Sequence, residues 1–294
     1  MSAMVTPYIV FVCACAILGG LLVLRHRLVL QTAGMPLHVS TAGLPMEGVQ
    51  LGNGQTIGTR PEQDDYFASQ TTSVGTLAVL ADGISGLDHG RMASTLAVTT
   101  FMQDYEQVKE YRQIPDYMEE AAFASNREIV QQLKGNHGGT TLAAVVITGR
   151  HLYWGAVGDS IITVFRNSSF IPVNSMHTFG AAVLQQKVLS GEMTRQQADS
   201  SPQRKQLVNY LGYEGFDHME ICDTPFVLRP GDKVLLCSDG IYDALTEVEL
   251  EAILKAEQTP QDAADRIIES IQQKQLKHQD NATVIIMEHG LSGR

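Results

Sequence analysis

The sequence has no run of basic residues. Its 21 lysines and arginines are spread among 32 aspartates and glutamates for a net charge of −11, which argues against nucleic acid as a partner and favours a cationic surface or a metal ion. Cysteine is scarce as well: of four, Cys13 and Cys15 lie in an apolar run, and Cys222 and Cys237 stand singly with no CxxC spacing. Unpaired thiols of this kind suit a reducing compartment. The single tryptophan, Trp154, reads as a core residue and not as a binding platform. The chain contains no internal repeat and no low-complexity tract. Its 44% apolar content over 294 residues excludes a disordered chain and is enough for one main domain.

At its start the chain has one long uncharged stretch. Val5 to Leu24, VTPYIVFVCACAILGGLLVL, carries no charged side chain, and about 20 helical residues at ~1.5 Å rise match a hydrocarbon core of ~30 Å. The residues before it lack positive charge and no clear small-x-small cleavage site follows, which favours a membrane anchor over a cleaved signal. A buried soluble helix is the alternative. The flank RHR at 25–27 places the remainder in the cytoplasm by the positive-inside bias. Residues 1–27 thus form an N-terminal anchor, and 28–46, with Gly34, Pro36, Gly43 and Pro45, a juxtamembrane linker. Residues 47–289 form the domain and 290–294 a tail.

Within the domain, apolar and β-branched runs predict strands at Thr76–Ala81, Thr140–Thr148, His151–Val157, Ser160–Arg166, Lys233–Cys237 and Ala282–Glu288. Apolar residues at three- and four-residue spacing predict helices over 90–108 and 115–134. Thr246 with Glu249 has capping-box spacing, and Thr259 before Pro260 reads as an N-cap. Strands and helices come in blocks, so the fold class is α+β and layered, not doubly wound.

Several of these strands end on a carboxylate. TLAVLADGISG runs into Asp82, LYWGAVGDS into Asp159, DKVLLCSDGIYDAL into Asp239 with Asp243 following, and QDNATVII opens on Asp280; Asp64 and Asp65 precede a further short apolar run. Singly, each Asp-Gly is a turn, since Asp bonds its own backbone and Gly supplies positive φ. As a set gathered at one sheet rim, the like charges need cations to remain ionised. Hard oxygen donors without a His or Cys cluster point to Mg²⁺ or Mn²⁺ and not to zinc. The nearby Arg60 suits bidentate grip of a phosphate or carboxylate, a surface ion pair being its simpler role.

In this order the segments RPEQDD, LADGISG, GGTTLAAVVI, GAVGDS, CSDGIYDAL and DNATVII resemble the motifs of the metal-dependent, type 2C (PPM-type) serine/threonine protein phosphatases. The resemblance spans about residues 48–288, and LQQKVLSGEMTRQQADSSPQRKQLVNYLG is similar to the flap beside that family's cleft. It implies a four-layer α-β-β-α sandwich with two central, mostly antiparallel sheets. It also implies a site of two Mn²⁺ or Mg²⁺ ions and a third, weaker one. Asp82 would bridge the two ions, the carbonyl of Gly83 would help bind one, and Asp239 and Asp280 the other. Asp64 falls near the metals, Asp65 where the family holds metal-bound waters, and Asp159 with Asp239 and Asp243 at the weaker site. Arg60 would bind phosphate. The partners implied are phosphorylated substrates of a serine/threonine kinase.

The chain also departs from that pattern. Ile84 stands where some members have a histidine that protonates the leaving oxygen, which would leave that step to a metal-bound water. Ser85, Gln63, Asp64 and Ile161 replace Gly, Asn, Glu and Arg, and Met176 replaces the Asp that precedes the flap histidine, here His177. These departures leave two alternatives open: a catalytically weak pseudophosphatase that binds or scaffolds phosphoproteins, and a two-metal enzyme acting on a small phosphoester.

Overall fold

The computed structural model describes residues 49–84 and 89–290. The apolar run of 5–24, its cationic flank, the linker, Ser85 and most of the tail lie outside the described residues. Among the described residues no helix is long and apolar enough to cross a membrane.

Strands β1 (Val49–Thr56), β2 (Tyr66–Thr71) and β3 (Thr76–Ala81) precede two helices, α1 (Gly90–Tyr105) and α2 (Ile114–Leu133). Then come β4 (Leu142–Thr148), β5 (His151–Val157), β6 (Ile161–Arg166) and β7 (Ser169–Pro172), followed by short helices α3 (Gln185–Leu189) and α4 (Arg195–Asp199). The remainder is β8 (Glu220–Ile221), β9 (Phe226–Val227), β10 (Lys233–Cys237), α5 (Asp239–Tyr242), α6 (Glu247–Ala256), α7 (Pro260–Gln273) and β11 (Ala282–His289). Each strand expected from an apolar run forms, with bounds within two residues of the expectation.

The strands make two antiparallel sheets, ordered β1-β11-β10-β6-β7 and β2-β3-β4-β5-β8, with β9 also pairing to β5. Side chains alternate faces along a strand, and here both faces are buried. Val234 and Leu236 of β10, with Ile285 and Met287 of β11, meet Leu80, Val145 and Ile147 between the sheets. Leu235, Val284 and Ile286 point the other way, onto Leu254, Ile267 and Ile271 of α6 and α7. Helices α1 and α2 cover the far side of the second sheet. They are joined by an edge-on Phe101–Tyr117 contact at 5.7 Å and by the Tyr117 hydroxyl donating to the Phe101 carbonyl. The result is the expected four-layer sandwich. Trp154 packs, half-buried, against the core between the sheets.

Local chemistry sets the helix ends. The Thr246 hydroxyl accepts from the Glu249 amide while the Glu249 carboxylate accepts from Thr246 N–H at 2.8 Å. Thr259 caps α7 through the Asp262 amide at 3.1 Å. The edge strands β1 and β2 escape the apolar-run criterion because each is only partly covered. β1 reads VQLGNGQT, and its glycines admit the helix that lies on it. A Cβ on Gly52 would stand 2.2 Å from the Pro260 carbonyl carbon. Gly52→Ala is therefore expected to lower stability by about 1–3 kcal/mol, as overpacking does, read as a lower urea midpoint at unchanged slope.

Candidate functional site

Antiparallel pairing gathers the acidic strand ends. Tyr66 lies opposite Ala81 and Leu142 opposite Val157 in one sheet; Thr56 lies opposite Ala282 and Cys237 opposite Val284 in the other. Asp65, Asp82 and Asp159 therefore project from one sheet toward Asp239 and Asp280 of the other. Asp82, Asp159, Asp239 and Asp280 line a common cleft of about 410 Å³ with Ile84, Thr141 and residues of the flap segment.

The backbone around the cluster is tightly tied. The Asp82 amide donates to Thr141 Oγ1 at 3.1 Å, and its carbonyl accepts from the Thr141 amide and the Thr140 hydroxyl, both at 2.8 Å. Gly83 follows because nothing larger fits: a Cβ there would lie 2.6 Å from Gly90 C and 2.7 Å from the Asp64 carbonyl. Asn281 pins the loop that crosses from β1 to β2. Its Nδ2 donates to the carbonyls of Ile57 and Glu62, and its Oδ1 accepts from the Asp64 amide at 2.7 Å. Asp65 is clamped from the other sheet, its Oδ2 accepting from Ser238 Oγ at 2.8 Å and Thr283 Oγ1 at 2.7 Å. Among the described residues no group donates to its buried Oδ1, and the carboxyl lies within hydrogen-bond reach of Asp82.

Electrostatics mark these groups as a unit. Burial, and then the charges of Asp65, Asp239, Asp159 and Asp280, hold Asp82 well above the usual carboxylate range. Burial also pushes Asp65 up to about 6, against hydrogen bonds that lower it. Asp159 is raised to about 6, by burial first, with Lys205 opposing and Asp243 adding. Asp239 goes to about 7 through burial and the charges of Asp159 and Asp280.

The other expected residues sit at the margin. Arg60 Nη2 pairs with Asp280 Oδ2 at 2.6 Å. Asp243, exposed, pairs with Lys205 of the flap. The Asp64 carboxylate is half-buried and accepts from the Arg91 backbone amide at the start of α1, while burial and Glu62 raise its pKa. It therefore serves the helix N-terminus as well as standing near Asp280.

His177, the flap histidine, is a tie. Its Nδ1 accepts from the Gly158 amide, an unambiguous donor, at 3.2 Å, and Asn209 Nδ2 lies at 3.2 Å from the same atom. The proton is thereby left on Nε2, which faces Glu220 at 3.3 Å. This holds the Gly158-Asp159 turn, where Gly158 has φ +96°. Sequence reasoning missed Lys205 and Tyr210 in the cleft wall, and Ser238, Thr283 and Asn281 behind it. Ser238, Thr283 and Asn281 neighbour the acidic motifs in sequence, which is the signal that could have found them.

The donor set fits hard divalent cations: it is all oxygen, it is crowded with like charge, and no described group donates to the buried Oδ1 of Asp65. Among the described residues no three such groups already converge on an ion-sized position. Arg60 and Lys205 hold two of the carboxylates, so occupancy means exchanging those cations for metal.

Residues 52–279 match the family model described as protein phosphatase 2C. The serine/threonine phosphatase stp of Listeria innocua is 28% identical over 222 residues, covering 73% of this chain and 85% of the relative. Among solved structures, the S. agalactiae serine/threonine phosphatase superposes with TM-score 0.73 at 25% identity, over 82% of this chain and 99% of that one. The catalytic domain of the phosphatase PstP in complex with two manganese ions has the same fold, with TM-score 0.66 at 24% identity over 83% and 99% of the two chains.

Each raised carboxyl titrates higher in the folded chain than at its unfolded value near 3.8. This set therefore favours the metal-free fold most below about pH 4, and that support is lost as pH rises through 6 to 7. Asp239→Asn removes one of the repelling charges. In chelator, the variant is expected to melt several degrees above the wild type at pH 7.5 and close to it at pH 4. Added Mn²⁺ is expected to raise the wild-type midpoint at pH 7.5 and to leave the variant nearly unmoved, as differential scanning fluorimetry would show.

Proposed function

The chain belongs to the protein phosphatase 2C family and is a protein serine/threonine phosphatase; on that premise we propose that it hydrolyses phosphoserine and phosphothreonine with two Mn²⁺ or Mg²⁺ ions held by the carboxylate cluster. One observation carries the reading: five aspartates from two sheets gather at one rim, burial and neighbouring charge raise the pKa values of four of them, Asp65, Asp82, Asp159 and Asp239, and among the described residues no group donates to the buried Oδ1 of Asp65. The PstP structure in complex with two manganese ions supports the same choice of ion.

In this reading Asp82, the Gly83 carbonyl, Asp239 and Asp280 would hold the two ions, and Asp159, with Asp239 and Asp243, would hold a third, weaker one. When bound, two such ions make hydroxide available near neutral pH and offset the charge of the phosphoryl oxygens. The remaining steps belong to the chain. Asp65, clamped by Ser238 and Thr283, presents its Oδ1 to orient water for in-line attack. Arg60, 42% exposed at the rim, leaves Asp280 for the phosphate, which its planar fork matches. Ile84 gives the cleft wall an apolar side chain without a proton to donate, so the leaving seryl or threonyl oxygen takes its proton from water.

Residues 5–24 are proposed to anchor the enzyme in a membrane with the domain in the cytoplasm, on the strength of the span's length and of Arg25 and Arg27. The substrates are then phosphoproteins reachable from that surface. Deleting residues 1–27 is expected to shift the chain from the membrane fraction to the soluble one on ultracentrifugation; a truncated chain that still sediments with membranes overturns the anchor.

The activity test is phosphate release from a phosphothreonine peptide by the purified chain. Release is expected with Mn²⁺, none with chelator, and a loss of at least about 10²-fold in kcat for Asp239→Asn, the scale on which preorganised charge stabilisation acts. Arg60→Ala is expected to act mainly on KM. Full activity in chelator, or in Asp239→Asn, overturns the two-ion reading.

A further inference from the structure

Among the described residues Lys205 is the one lysine that lines the cleft, and its backbone position is fixed from both sides. The Gly180 amide donates to the Arg204 carbonyl at 2.9 Å, the Phe179 amide to the Gln206 carbonyl at 2.8 Å, and the Val208 amide to the His177 carbonyl at 2.9 Å. Gly180 is required for this approach, since a Cβ there would stand 2.7 Å from the Arg204 carbonyl oxygen. The flap thus carries Lys205 on a rigid rung while the side chain stays free to move, at 56% exposure. From that rung the ammonium pairs with the Asp243 carboxylate at the cleft margin, just beyond the α5 helix that begins at the cleft-lining Asp239. Its charge also reaches Asp159, whose pKa it lowers. His177 is near Asp159 too, but its ring is tied to the Gly158 amide and is not among the residues that line the cleft, whereas Lys205 is.

We propose that Lys205 is a built-in monovalent cation that occupies the Asp159–Asp243 side of the cleft and gives way there to a divalent ion, so that it sets how tightly that side binds metal. The physical case is one of competition. The Asp243 charge raises the proton affinity of Asp159 and the Lys205 charge lowers it, so two neighbouring carboxylates favour a nearby positive charge, which the lysine supplies singly on a flexible stem. An exposed ion pair of this kind holds weakly, so a divalent ion displaces it at modest cost, and displacement frees the side chain from the flap's only charged link to the end of α5 among those described. The inference rests on the two-ion reading above and adds to it a residue that no metal-ligand pattern includes, since lysine is not a metal donor in its charged form.

The test is a Mn²⁺ titration of the full chain without substrate, with free Mn²⁺ read by electron paramagnetic resonance. Lys205→Met keeps the stem and removes the charge; Lys205→Arg keeps the charge. Lys205→Met is expected to tighten the weakest-bound Mn²⁺ about two- to five-fold, the range that exposed ion pairs carry, and to leave the tight ions unchanged. Lys205→Arg is expected to match the wild type, and adding Asp243→Asn to Lys205→Met to remove the gain. A wild-type chain that binds no Mn²⁺ overturns the two-ion reading and this proposal with it. A wild-type chain whose weakest Mn²⁺ is unaffected or loosened by Lys205→Met overturns the role of the lysine alone.

Discussion

Repulsion among Asp65, Asp82, Asp159, Asp239 and Asp280 is what the surrounding structure has to contain. Carboxylates half out of water do not crowd together unless something else holds the backbone that carries them. Here the holding is done by hydroxyl, amide and ring hydrogen bonds: Thr141 on Asp82, Asn281 on the crossing loop, Ser238 and Thr283 on Asp65, and His177 on the Gly158-Asp159 turn. None of these bonds cancels charge. They fix positions and leave the charge to be met by protons or by cations. The energy that makes this arrangement tolerable comes from elsewhere, from the apolar layers between the sheets and beneath α6 and α7.

On the proposed two-ion reading, protons and metal ions compete for the same oxygens. With Asp65, Asp159 and Asp239 raised to between about 6 and about 7, the cluster without metal holds protons in a pH range where isolated carboxylates hold none. Binding a cation there must release them, which couples affinity to pH. The two rim bases add a third competitor. Arg60 and Lys205 each rest on a carboxylate that metal would claim, so on the same reading ions would have to displace the chain's own side chains.

Much of this was legible in the sequence, and the limits of legibility have physical causes. Central strands such as β10 and β11 are apolar on both faces and announce themselves as runs; edge strands such as β1, half-covered and glycine-rich, do not. Helix ends at Thr246 and Thr259 follow from local hydrogen bonding, which depends on near neighbours alone. The acidic strand ends could be read as a set because antiparallel pairing sends them to one rim. The Arg60–Asp280 and Lys205–Asp243 pairs could not, because each joins residues far apart in the chain whose meeting depends on how the two sheets and the flap are stacked. The second task of Asp64, serving the start of α1, stayed hidden for the same reason.

The carboxylates come from two separate sheets, three from one and two from the other, and no backbone ladder joins those sheets. Side-chain interdigitation keeps them in step, Leu236 and Ile285 on one side against Leu80 and Val145 on the other, with the hydroxyls of Ser238 and Thr283 on Asp65 as a tie at the rim. The cleft is thus a gauge of how the two layers are aligned: a small slide of one sheet over the other changes the spacing of the aspartates while every strand and hydrogen-bonded register stays intact. Volume changes in the middle of the sandwich, far from any charged group, reach the chemistry by this mechanical route, and tolerance of the interior to substitution is set by ångström-scale alignment and not by stability alone.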